Sequence, residues 1–102
     1  MPPMYGKNGL RKVMTPIEIQ TKIKDLFGEQ TLCDVFTESR KLNLNLIRMA
    51  ISYHLRENGW KVIDIAKYLN RKHPAISHLL KVYQQEYDTN EVFRDLVNKI
   101  FG

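Results

Sequence analysis

The sequence predicts an all-α fold of about six helices, and three observations carry that expectation. Apolar residues recur at helical spacing in successive segments. Those segments are bounded by Pro, Gly and capping residues. One stretch, Val62 to Lys81 (VIDIAKYLNRKHPAISHLLK), spaces its residues as two helices joined by a sharp turn. The single strand-like alternation, LNLNL from Leu42 to Leu46, is too short and isolated to pair.

Taken in order, residues 1–14 hold two prolines, two glycines and no apolar period, and read as a flexible basic arm carrying Lys7, Arg11 and Lys12. A single domain is expected over residues 15–102. Thr15-Pro16 with Glu18 starts the first helix as a capping box, and Ile19, Ile23, Leu26 and Phe27 form its stripe up to Gly28. A short second helix from about Thr31 to Glu38 buries Leu32, Val35 and Phe36, and Ser39-Arg40-Lys41 makes a basic joint. Leu42 to Asn58 is the longest apolar pattern, with Leu42, Leu46, Met49, Ala50, Tyr53 and Leu55 for the core and Leu44 and Ile47 broadening the stripe. It reads as the central helix, ended by Asn58-Gly59, with Trp60 packing beyond the glycine.

In the Val62 to Lys81 unit, Ala66, Asn70, Ile76 and Leu79 fall at positions 5, 9, 15 and 18. A small residue at 5 lets the two helices approach, and 15 and 18 pin the second helix to the core. Position 9 suits a left-handed backbone, for which Asn is the best choice after Gly. Pro74 belongs in the first turn of the second helix, with His73 as its N-cap or the neighbour of the cap. This spacing is that of a helix-turn-helix. The second helix runs on to about Tyr87, Asp88-Thr89-Asn90 breaks it, and a last helix from Glu91 to Phe101 buries Val92, Phe93, Leu96, Val97, Ile100 and Phe101. That last stripe serves either as core cover or as the seam of a homodimer.

At 102 residues, 43% hydrophobic and 26% charged, the chain can bury a core without disulfides or metal. No apolar run is long enough to span a membrane. The first residues do not read as a signal peptide, and the single cysteine, Cys33, has no internal partner, so the cytoplasm is the expected compartment. Cys33, among Leu32, Val35 and Phe36, reads as a buried structural thiol. Net charge is +5, and its distribution says more than its sum. Ser39 to Lys81 holds nine basic residues against two acidic, net +7, whereas the rest of the chain is net −2. Positive charge concentrated on and before the helix-turn-helix is the footprint of a phosphate-binding surface.

Ser39-Arg40-Lys41, Arg48, Tyr53, Arg56-Glu57, Ile65-Ala66, Arg71, His73 and His78 fall in an order that resembles a known family. From about Ile23 to Phe101 the chain looks like the C-terminal DNA-binding domain of the bacterial chromosomal replication initiator DnaA, a Trp-repressor-like helix-turn-helix fold. The resemblance implies major-groove roles for Arg71, His73 and His78, and phosphate or minor-groove roles for Arg40, Lys41 and Arg48. The departures are as informative. Lys72 stands where the family has aspartate, and Pro74-Ala75 stand where it has two threonines. A carboxylate accepts from cytosine whereas an ammonium prefers guanine acceptors, so the family's box is not the expected best site. No GxxxxGK[ST] loop is present, so no ATPase activity is expected.

In the usual docking of such a unit, the outward residues near the start of the second helix meet base edges. Here they are Lys72, His73, Pro74, Ser77, His78 and Lys81. Catalysis is not expected: His73 and His78 point to different sides of a helix, and Ser77 and His78 stand about 100° apart, wrong for a nucleophile and its base. No metal, cofactor or small-molecule substrate is implied. The expectation is sequence-specific binding of double-stranded DNA in control of replication initiation or transcription. The alternative is a helical protein-interaction module that contacts replication or transcription proteins through its apolar last helix.

Overall fold

The computed structural model describes residues 14–37 and 42–102, with side chains of the second segment from residue 44 onward. The described residues fold entirely into helices and their connections, as the periodicity predicts. Six helices follow one another: α1 (Pro16–Phe27), α2 (Glu29–Val35), α3 (Leu42–Glu57), α4 (Val62–Tyr68), α5 (His73–Thr89) and α6 (Glu91–Phe101). Residues 1–13 of the arm, Glu38 at the expected end of the second helix, the joint Ser39-Arg40-Lys41 and the side chain of Leu42 lie outside the described residues. Met14, read with the arm, packs against the core, and its N–H donates to His54 Nε2 at 3.3 Å.

The capping box forms as predicted: Glu18 N–H donates to Thr15 Oγ1 at 3.2 Å, and Thr15 N–H donates to Glu18 Oε1 at 3.0 Å. Ile19 and Ile23 are fully buried, but Leu26, at the edge of their stripe, stays 40% exposed, and Phe27 makes the last inward contact. Gly28, at φ +93°, closes α1 by donating to Lys24 O and opens α2 by accepting from Leu32 N–H. The turn thus takes one residue, and α2 starts two residues earlier than the sequence suggests. It turns Leu32, Val35 and Phe36 inward. Cys33 is exposed, not buried, because it falls about 100° off the face that its neighbours share.

Helix α3 touches α2, α4, α5 and α6 and is the hub of the fold. Leu44, Ile47, Met49, Ala50 and Leu55 of the expected stripe are 3% exposed or less, while Leu46 and Tyr53 are half-buried. Arg48 and Ile51, outside that stripe, are fully buried as well, and the arginine hides this side of the helix from a search for apolar periodicity. Tyr53 stacks on Tyr83 of α5 with ring centroids 3.7 Å apart, and His54 stacks on Phe101 of α6 at 4.2 Å. α3 ends in a Schellman motif: Trp60 N–H donates to Leu55 O, Gly59 N–H to Arg56 O, and Gly59 holds φ +94°. Trp60 packs on the core beyond it and meets Tyr68 edge to face.

Helix α6 is core cover: Phe93, Val97, Ile100 and Phe101 are buried against the rest of the chain. Asn90 caps it by accepting from Phe93 N–H, and Arg94 ties it to the end of α5 through Tyr87 O and Asp88 O. α5 runs on to Thr89, so the break is the one residue Asn90. Val92, expected in the core, is 71% exposed, since it lies on the outer edge of the helix's apolar arc.

Candidate nucleic-acid interface

The sequence of α4 and α5 dictates how their junction is held. Ala66 is buried and Leu69 fully so, which leaves room for α5 to cross close above α4. Asn70 follows at φ +55°, the one non-glycine residue with positive φ among those described. Its N–H donates to Lys67 O at 3.3 Å and Arg71 N–H donates to Ala66 O at 2.9 Å. This is a second Schellman motif, with Asn in the left-handed place that glycine fills after α3. The extended backbone expected at the residue before Pro74 lies one residue earlier, at Lys72 (φ −81°, ψ 152°), and His73 opens the helix. Ala75 N–H and Ile76 N–H both turn back to Lys72 O.

Lys72 therefore holds the N-cap position of α5, yet makes no capping bond, since an ammonium has only donors. α5 is anchored from beneath by Ile76, Leu79 and Tyr83, all buried. Pro74, Ser77, His78 and Lys81 are exposed on the opposite side, His73 and Ala75 on its flanks and Lys72 at the N-terminal end in line with Ile76, and Arg71 is half-buried at the edge. Gln84 and Gln85 extend the same exposed row. The i, i+3, i+4, i+7 spacing from Pro74 and Ser77 could have found them, had the face been followed past the basic residues.

Arg48 departs from its expected place at a phosphate. It is fully buried, and its guanidinium donates to Val35 O, Asp34 O and Thr37 O, each at 2.8 Å, closing the C-terminal end of α2. Burial holds the guanidinium below the usual arginine range, the positive charge of Arg71 adds to that, and Asp34 offsets part of it. Three of its donors are thus turned to carbonyls inside the protein. Arg40 and Lys41, the other two residues assigned to phosphates, lie outside the described residues.

Among the described residues no three of His, Cys, Asp and Glu gather as metal ligands. Nor is any helix among them long and apolar enough to cross a membrane. His54, the histidine away from α5, is buried between Met14 and Phe101 and belongs to the core. Compared with known proteins, the chain matches no family model, no curated protein and no solved structure.

Proposed function

We propose that this chain is a sequence-specific double-stranded-DNA-binding domain that docks α5 in the major groove, acting in control of replication initiation or transcription without an ATPase activity of its own. One observation carries the reading. The N-terminal end and outer side of α5 expose Lys72, His73, Ser77, His78 and Lys81, while Ile76, Leu79 and Tyr83 hold the helix from below. Hydrogen-bond donors on a helix backed by a packed core are what reading base edges requires. The resemblance to the DNA-binding domain of the replication initiator and the charge concentrated between Ser39 and Lys81 support the same reading.

The interaction-module alternative needs Phe93, Val97 and Phe101 of α6 available to a partner. They are 0%, 3% and 5% exposed, so docking through them requires the core to open.

The test is selection from a random duplex pool at physiological salt, followed by salt titration of the enriched duplex. An enriched motif is expected, with log affinity falling linearly against log salt and losing about 0.9 of slope for each phosphate contact removed. Failure to retain any duplex would overturn the proposal.

A further inference from the structure

We propose that the box read by α5 carries a guanine, met at its N7 and O6 acceptors by Lys72, within one or two base pairs of a thymine whose 5-methyl group packs on Pro74 and Ala75. This rests on the DNA-binding reading and adds to it the identity of the bases.

The exposed start of α5 offers some base-reading groups and lacks others. Between Lys72 and Lys81 there is no carboxylate and no carboxamide. Cytosine, whose amino donor is best met by a carboxylate, finds none there, and adenine finds no carboxamide to pair with its N6 and N7; the groups that both donate and accept are the Ser77 hydroxyl and the His73 and His78 imidazoles. Lys72 supplies donors only, which suits the paired acceptors on the guanine edge. Pro74 and Ala75 are exposed, and they are the only apolar side chains on the outer side of the first turn. The 5-methyl of thymine is the apolar group that the major groove displays.

Spacing joins the two contacts. Lys72 and Ala75 are three residues apart, about 4.5 Å along a helix axis. A base-pair step is about 3.4 Å, so the two readers address the same or neighbouring steps. Lys81, about 13.5 Å further along than Lys72, lies beyond the part of a recognition helix that meets base edges. Of the residues expected at base edges it is therefore the one assigned to a phosphate instead.

The experiment takes the duplex enriched from the random pool and replaces its guanines one at a time by 7-deazaguanine, which lacks the N7 acceptor. Its thymines are replaced one at a time by deoxyuridine, which lacks the methyl group. One guanine should show a loss on the order of tenfold. A thymine one or two pairs away should show a loss of roughly fourfold. In Lys72→Met the 7-deazaguanine penalty should vanish while the deoxyuridine penalty stays, and Pro74→Ser should do the converse. Both residues are exposed, so neither variant disturbs the core. An enriched duplex indifferent to both replacements overturns the base assignment and leaves sequence-specific binding standing. Retention without enrichment overturns it too, leaving a non-specific binder, and no retention at all removes the DNA reading with it.

Discussion

Lys72 sits at an N-cap that makes no side-chain bond, on a chain that caps two other helices with Thr15 and Asn90. Aspartate there would accept from the first-turn N–H groups and complement the helix dipole. Lys72→Asp is therefore expected to raise unfolding stability by about 1 kcal/mol in urea. The same change should weaken DNA binding and move base preference toward the replication initiator's box; an unchanged preference in the selected pool would sink that link. Arg48 makes the opposite case. Its bonds to Asp34 O, Val35 O and Thr37 O fasten the end of α2 to α3. Arg48→Met strands buried carbonyls and should cost about 3 kcal/mol or more in urea unfolding. If Arg48 were instead a phosphate ligand, that variant would keep its stability and lose salt slope.

At the scale of elements, the junction of α4 with α5 depends on one left-handed residue. Asn70→Ala places a methyl-bearing residue at φ +55° and should cost about 1–2 kcal/mol, while Asn70→Gly should be close to neutral. Urea midpoints of the pair separate backbone conformation from any side-chain role, since a side-chain role predicts equal losses. The same end of α4 meets the start of α1 through Tyr68, whose hydroxyl donates to Pro16 O at 3.3 Å. Burial pushes its phenol from 10.0 up to about 12. The unfolded chain then loses this proton more readily than the folded one, so the stability from the neutral phenol is complete below pH 10 and lost as pH rises toward about 12. Tyr68→Phe should flatten the fall in melting temperature across that window. Equal alkaline losses in the variant and the parent would assign the fall to other groups.

At the scale of the whole molecule, α6 turns its strongest apolar face inward, against α1, α3 and α5. The seam that a homodimer would have used is already covered. A monomer is expected by sedimentation at micromolar concentration, and with it an asymmetric DNA site instead of an inverted repeat. A stable dimer, or a palindromic motif in the selected pool, would contradict this.

Local chemistry and periodicity were enough to give the helical class, the Thr15 capping box, the left-handed Asn70, the start and end of α6 and the outward residues of α5. Each depends on a residue and its neighbours within a turn or two, where backbone sterics and capping bonds act. Three things were decided only by the packed chain. Arg48 became a core residue because the carbonyls it satisfies lie at the end of α2 and just beyond it, more than ten residues away. The burial of Ile51 beside Arg48, beyond the expected stripe of α3, was set by the four helices surrounding it. Cys33 and Val92 came out exposed because a helical arc has edges, and which edge is covered depends on the neighbour that arrives. Periodicity specifies that a helix has an inner face; the competition among all helices for burial specifies which residues end up inside.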